Sequence, residues 1–237
     1  LNTQSPKHDR TRAWLWLAVA LGPMLALHAP IFHSYKGQVP ETLSALGGTS
    51  VYSTPTQVNG APGTLSAYSF TRQTAAELSA ALTARLKLPP VPRGTTGFLT
   101  YQADNRVQRI LVLPSADNTD ACVVLLFDQS VGDTQRAAKA EATWPNGLGA
   151  MPGTPRFSAS CDNTRTTFVT AETHGTPEDA AESAAAVLRA QGWKETPAST
   201  PTFRLFSERN RFCAVFASRD PKTGETTLSI IQRNGSR

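Results

Sequence analysis

Histidine is the first scarcity. The 237 residues hold four, and three of them, His8, His28 and His33, fall within the first 33 positions. Only His174 remains for the body of the chain, so multi-histidine metal centres are excluded there and most designs with a histidine base are left without a partner. Cysteine is scarce as well: Cys122, Cys161 and Cys213 form an odd set whose spacings fit no zinc-binding pattern. The chain has no Gly-x-Ser-x-Gly elbow, no Gly-x-Gly-x-x-Gly after a strand, no phosphate-binding loop and no His-Glu-x-x-His helix. These absences remove the usual signatures of serine hydrolases, dinucleotide enzymes, nucleotide hydrolases and zinc peptidases. No metal or cofactor is expected, and the chain reads as non-enzymatic.

The formal charge of +5 is uneven. Lys7, Arg10 and Arg12 stand against Asp9 at the N-terminus, and from Gly37 onward nineteen basic residues meet seventeen acidic ones. The body is close to neutral, so nucleic acid is not an expected partner.

Between the basic tail and the body lies AWLWLAVALGPMLALHAPIF, Ala13 to Phe32, with no charge. A helix of that length covers roughly 30 Å at about 1.5 Å per residue, the thickness of a bilayer's hydrocarbon core. The basic flank precedes it, which keeps residues 1–12 in the cytoplasm and exports everything after it. Trp14 and Trp16 at one end and Phe32 and Tyr35 at the other suit the two headgroup zones. A cleaved secretory signal competes with this reading. Its best cleavage site, after Leu27-His28-Ala29, puts leucine where a small residue is preferred and Pro30 just beyond the bond. The expectation is therefore a single-pass inner-membrane protein of a bacterial envelope, anchored or with an uncleaved signal at 13–32, whose C-terminal region is extracytoplasmic.

Residues 33–50 carry Gly, Pro, Ser and Thr with few large apolar side chains and read as a tether. An α+β module is expected over 51–132: a strand at Leu65–Phe70, a helix from Thr74 to Leu86 opened by a Thr74/Glu77 capping box, and strands at Thr96–Gln102, Arg106–Leu113 and Ala121–Phe127. Pro89, Pro90 and Pro92 stop the helix. A second module, 155–237, follows a linker at 133–154 in which Asp133–Ala142 forms a short helix. Its strands are expected at Thr167–Thr173, Thr202–Glu208, Arg211–Ser218 and Thr226–Gln232, and its helix runs from Thr176 to Gln191 before Gly192. Displaced by 105 positions, Ala75–Leu113 aligns with Ala180–Ser218 without a gap and with ten identities in 39, including Phe98 on Phe203, Asn105 on Asn210 and Arg106 on Arg211. The chain thus reads as two tandem β-α-β-β-β modules with antiparallel sheets, related by duplication.

Candidate sites are few. Trp144, Leu148 and Met151 in the linker loop WPNGLGAMPG offer apolar side chains for docking or for packing between modules. Arg204, Arg209, Arg211 and Arg219 form a basic group on the second hairpin, suited to an acidic surface, although Glu208, Asp220 and Glu225 interleave with it. Cys161 and Cys213 share the second half and are the pair to consider for a disulfide. Cys161 with His174 would need a bend to meet, since strand residues thirteen apart face opposite ways. The carboxylate pairs Asp117/Asp120 and Glu178/Asp179 stand in a turn and at a helix start, where acids stabilise local structure. The expected function is protein contact within an envelope assembly or transport apparatus, with other envelope proteins as partners. The alternative is a lipid- or glycan-binding protein with its site between the modules.

Overall fold

Alternation of apolar and polar residues recurs from Thr49 onward, and each stretch of it forms a strand. The computed structural model describes residues 38–88, 98–114, 121–197, 199–219 and 224–235. The tail, the apolar segment 13–32, the proline run at 89–92 and Asp117 and Asp120 lie outside these residues. Among those described there are four α-helices and eleven strands in one antiparallel sheet, an α+β arrangement. No described helix is long and apolar enough to cross a membrane.

The chain runs α1 (Gln38–Ala45), β1 (Thr49–Val58), β2 (Ala61–Phe70), α2 (Ala75–Leu86), β3 (Leu99–Ala103), β4 (Arg106–Pro114), β5 (Cys122–Ser130) and α3 (Val131–Lys139). It continues with β6 (Thr154–Cys161), β7 (Thr166–Thr173), α4 (Pro177–Ala190), β8 (Lys194–Glu195), β9 (Phe203–Glu208), β10 (Arg211–Arg219) and β11 (Thr226–Arg233). Across the sheet the order is β3-β4-β5-β2-β1-β6-β7-β11-β10-β9-β8. The two halves therefore run through the same sequence of strands outward from a central junction where β1 and β6 pair antiparallel, Gln57 with Ser160 and Val58 with Ala159. Antiparallel pairing of matching strands is what an approximate two-fold axis between the halves requires.

The displacement of 105 survives in the detail. Ala103 pairs with Arg106 and Leu99 with Ile110 in the first half; Glu208 pairs with Arg211 and Arg204 with Val215 in the second. The turns between them hold Asp104 at φ 51° and Arg209 at φ 54°. Each half also breaks register once in its opening hairpin, at Val51 and at Arg156, again 105 apart. Helices obey a different offset. Thr74 caps α2 with Glu77 returning the bond, whereas Thr176 caps α4 with Asp179. The structural counterpart of Glu77 is thus Asp179, nearly one turn from Glu182, so the helices do not follow the displacement of 105.

Two faces hold the core. On one, Leu78, Leu82 and Leu86 of α2, with Val39 and Leu43 of α1, cover Tyr68, Phe70, Ile110, Val124 and Leu126. In the second half Ala180, Ala181, Ala184, Ala185 and Leu188 of α4 cover Cys213, Val215, Leu228 and Ile230, the alanines letting the helix lie close to the sheet. The opposite face closes on itself. Phe127 on β5 and Phe157 on β6 have ring centroids 4.8 Å apart although β2 and β1 separate their strands. Three strand spacings on a flat sheet would hold them about 14 Å apart, so the sheet curls, with the helices outside and Phe98, Phe127, Phe157 and Phe168 inside.

Several expectations change. The tether contains α1, whose Val39, Pro40 and Leu43 are buried. Pro40 is tolerated because it stands in the first turn, where its missing N–H has no intrahelical partner to lose. Each half begins with a hairpin, so the order is β-β-α-β-β-β, with β1 and β6 added to the expected strands. Pro55 argues against a strand inside a sheet, yet β1 meets β6 only at Gln57 and Val58, so its missing donor faces no partner. The two expected sheets are one.

Candidate functional site

The linker loop does not stand free. Leu148 is fully buried and Met151 nearly so, both inside the cluster beneath α4, and Trp144 packs against its rim. Gln191 just beyond α4 donates Nε2 to the Leu148 carbonyl at 2.6 Å, which fixes the loop to the helix end. Gly153, at φ +92°, passes so close to β7 that a Cβ there would lie 2.4 Å from the Glu172 carbonyl oxygen. Of the three apolar residues, then, Leu148 and Met151 serve the core and Trp144 alone keeps a partly exposed ring.

The four arginines separate. Arg204 bridges Glu182 at 3.0 Å and Glu195 at 3.0 Å, and Arg189 bridges the same two carboxylates at 2.7 and 2.6 Å. The result is a closed ring of two cations and two anions on the outer surface of α4, β8 and β9. Arg211 lies with its guanidinium carbon 4.6 Å from the Trp193 ring centroid and pairs with Glu208 at 3.2 Å. Arg209 is exposed in the β9–β10 turn. Arg219, at the far end of β10, donates Nε to the Gly224 carbonyl at 2.8 Å. No common basic face remains.

Arg219 does border a cleft. It is an open depression of about 490 Å³ between the start of α4 and the β10–β11 connection, lined by Glu172, His174, Thr176, Asp179 and Glu225 among others. A histidine, carboxylates and hydroxyls thus converge, as a hydrolytic site would require, but their bonds are structural. Thr176 and Asp179 cap α4, and Thr226 donates Oγ1 to the Gly175 carbonyl at 2.6 Å. His174 is exposed and has no described hydrogen bond to orient it as a base.

The space between the two halves, where a ligand of the alternative reading would sit, is filled. Phe98, Phe127, Phe157 and Phe168 occupy it with centroid separations of 4.7–6.1 Å. At its margin Arg109 donates Nη1 to Gln129 Oε1 at 2.8 Å and lies 5.9 Å from the Phe157 centroid. Burial lowers the pKa of its guanidinium below the ordinary arginine value. Period-two alternation places Arg109 on the inner face, but nothing in the sequence marks its surroundings.

The three cysteines are buried free thiols in three different clusters, so Cys161 and Cys213 are not brought together. Burial pushes the Cys122 thiol up to about 11 and Cys213 to about 12. Cys161 is raised by the same cause, and its Sγ is 3.3 Å from Thr56 Oγ1. All three stay protonated at neutral pH, which suits small apolar core residues. Among the described residues no group of His, Cys, Asp and Glu is arranged to hold a metal ion.

No family model, curated protein or solved structure matches the chain.

The arginine–glutamate ring joins four ion pairs in one network, and it makes stability depend on pH. The hydrogen bond from Arg189 holds the Glu182 carboxyl below its ordinary value near 4.5. At Glu195 burial opposes the charge, and the bonds from Arg189 and Arg204 outweigh it, so that carboxyl is lowered too. Both folded-state values lie below the unfolded ones, so the ring's contribution is present above the unfolded value and is lost as pH falls through the folded value. The urea midpoint of the wild type is expected to fall between pH 5 and pH 3. In a Glu182→Gln/Glu195→Gln variant the fall is shallower, and equal slopes would show that the ring contributes nothing.

Proposed function

We propose that the chain is a single-pass, non-catalytic membrane protein of a bacterial envelope, made by duplication of one α+β unit and serving protein contacts in an assembly or transport apparatus. The observation that carries this reading is the short interval between the uncharged run and the fold. The run ends at Phe32 and α1 begins at Gln38 with Val39 and Leu43 already buried. The five residues between them reach about 18 Å at most, so the folded part stands against the bilayer surface. A body held there meets membrane-bound partners at raised effective concentration. The filled interior favours outer surfaces over an internal ligand, which weighs against the lipid- or glycan-binding alternative.

The test is extraction and protease protection of the full chain expressed with a C-terminal tag. Retention in membranes through alkaline carbonate, with the body digested only from the extracytoplasmic side, is the expected result. Release into the carbonate supernatant, or a mature N-terminus at Pro30, would overturn the anchored reading.

A further inference from the structure

Asparagine followed by glycine occurs three times, at Asn59–Gly60, Asn146–Gly147 and Asn234–Gly235. Such a pair carries an intrinsic reaction. The glycine backbone nitrogen, once deprotonated, attacks the asparagine Cγ; a C–N bond forms, the side-chain nitrogen leaves as ammonia, and a five-membered succinimide remains. Solvent water then opens one of its two carbonyls, giving aspartate or isoaspartate, in which the main chain runs through the former side chain. Glycine favours the attack because it has no Cβ to obstruct the approach. In a folded chain the rate depends on whether the asparagine side chain and the peptide after it are free to meet.

Two of the three pairs are held. Asn59, in the β1–β2 turn, accepts at Oδ1 from Ser158 N at 2.7 Å and Ser158 Oγ at 3.2 Å, and donates Nδ2 to the Ala137 carbonyl at 3.3 Å. Asn234 accepts at Oδ1 from Gln232 Nε2 at 3.2 Å, and Arg165 binds the backbone on both sides of the reacting peptide, through Asn234 N at 3.0 Å and the Gly235 carbonyl at 3.1 Å. Asn146 is different. It is exposed, and among the described residues no hydrogen bond reaches its side chain or the Gly147 amide. With Gly147 at φ +85° it makes a turn closed by one long bond, Leu148 N to the Pro145 carbonyl at 3.3 Å. A cation stands beside it, since Arg211 Nη2 would lie 3.7 Å from a Cβ built on Gly147. Positive charge there favours the deprotonated amide, the form that attacks.

We propose that Asn146–Gly147 is a self-modification site, at which the folded chain converts with time to aspartate and isoaspartate, and that the isoaspartate form releases Leu148 from the cluster beneath α4. The second step follows from the anchors on either side. Pro145 and Leu148 are both buried, and the Leu148 carbonyl is tied to Gln191 Nε2 at 2.6 Å. Isoaspartate adds one atom to the main chain between them, and a well-packed core has no room to absorb it without moving one anchor. Aspartate adds a charge but leaves the length of the main chain unchanged. The reaction needs only the folded body, so it stands or falls apart from the anchored reading.

The test is tryptic mapping by mass spectrometry of the full chain aged at mildly alkaline pH, with an unaged sample as the zero point. Each pair falls in a peptide of its own, 37–72, 140–156 and 234–237. In the folded protein the peptide 140–156 is expected to show the amide-to-acid mass change about tenfold faster than the other two. In guanidinium chloride the three rates converge, because local structure no longer separates them. The aged protein is expected to unfold at a lower urea midpoint, whereas fresh Asn146→Asp and aged Asn146→Gln keep the wild-type value. Comparable rates at the three pairs in the folded protein, or conversion of 140–156 only after unfolding, would overturn the site. An unchanged midpoint after conversion, or an equal fall in Asn146→Asp or in aged Asn146→Gln, would overturn the release of Leu148.

Discussion

Phe127→Ala will destabilise the protein by about 3–5 kcal/mol and will do so in both halves at once. Phe127 is fully buried on β5, and its ring meets Phe98 at 5.9 Å in an edge contact, Phe157 at 4.8 Å and Phe168 at 5.8 Å. Two of those neighbours, on β6 and β7, belong to the other half of the sheet. Truncation removes apolar contact that the curled sheet cannot recover by collapse, since the four rings hold one another in place. The readout is built in. With Trp14 and Trp16 replaced by phenylalanine, the two remaining tryptophans, Trp144 and Trp193, both belong to the cluster beneath α4 in the second half, so their fluorescence reports on a part of the molecule that the substitution does not touch. A urea titration should move the tryptophan transition and the far-ultraviolet circular dichroism transition together, to the same lower midpoint. A tryptophan transition that stays where it is in wild type, while half of the secondary structure is lost early, would show that the halves fold separately.

Arg106→Leu is expected to cost about 3 kcal/mol, well above the 0–1 typical of surface pairs, because its partner is buried. Asp128, with a side chain only 7 % exposed, receives Arg106 Nε at 2.8 Å and Nη2 at 2.8 Å, with Gln108 Nε2 at 3.2 Å as a further side-chain donor. Without the guanidinium the carboxylate keeps its desolvation and loses its main compensation. The double variant Arg106→Leu/Asp128→Leu removes both the charge and its partner and should regain most of the loss. Urea unfolding at pH 7 measures both. A cost below about 1 kcal/mol for the single change would mean that Asp128 is hydrated in the folded state. Arg211, which holds the matching place in the second half, lies over Trp193 and pairs with Glu208 instead. Two arginines 105 positions apart thus make different contacts.

Local chemistry explains which elements were legible. The capping threonines with an acid three residues on, Thr74/Glu77 and Thr176/Asp179, open α2 and α4, and Gly192 at φ +87° lies just past the end of α4. The apolar run of β5 is buried on both faces because helices cover one side and the curled sheet covers the other. The hidden elements are those in which a local rule was overridden. β1 has an alternating Ser/Thr pattern with Pro55 in it, and its strand status depends on β2, its hairpin partner across Asn59 and Gly60, and on β6, which is distant in sequence. α1 has proline, serine and threonine in eight residues and is held by packing rather than propensity. The docking loop was visible as a loop, but burial of Leu148 and Met151 depends on α4, some thirty residues later. The basic group on the hairpin was visible as charge, whereas its partition into a ring, a stacked pair and two separate arginines depends on Glu182, Glu195 and Trp193 arriving from another element.

The central claim is that the two halves of the chain share a single sheet and a single inner core. Nuclear Overhauser contacts across the β1–β6 junction test it most directly. The account predicts cross-strand contacts linking Gln57 with Ser160 and Val58 with Ala159, together with contacts between the Phe127 and Phe157 rings. Their absence, with each half giving its own internal contacts alone, would contradict it and return the protein to two independent modules on a string.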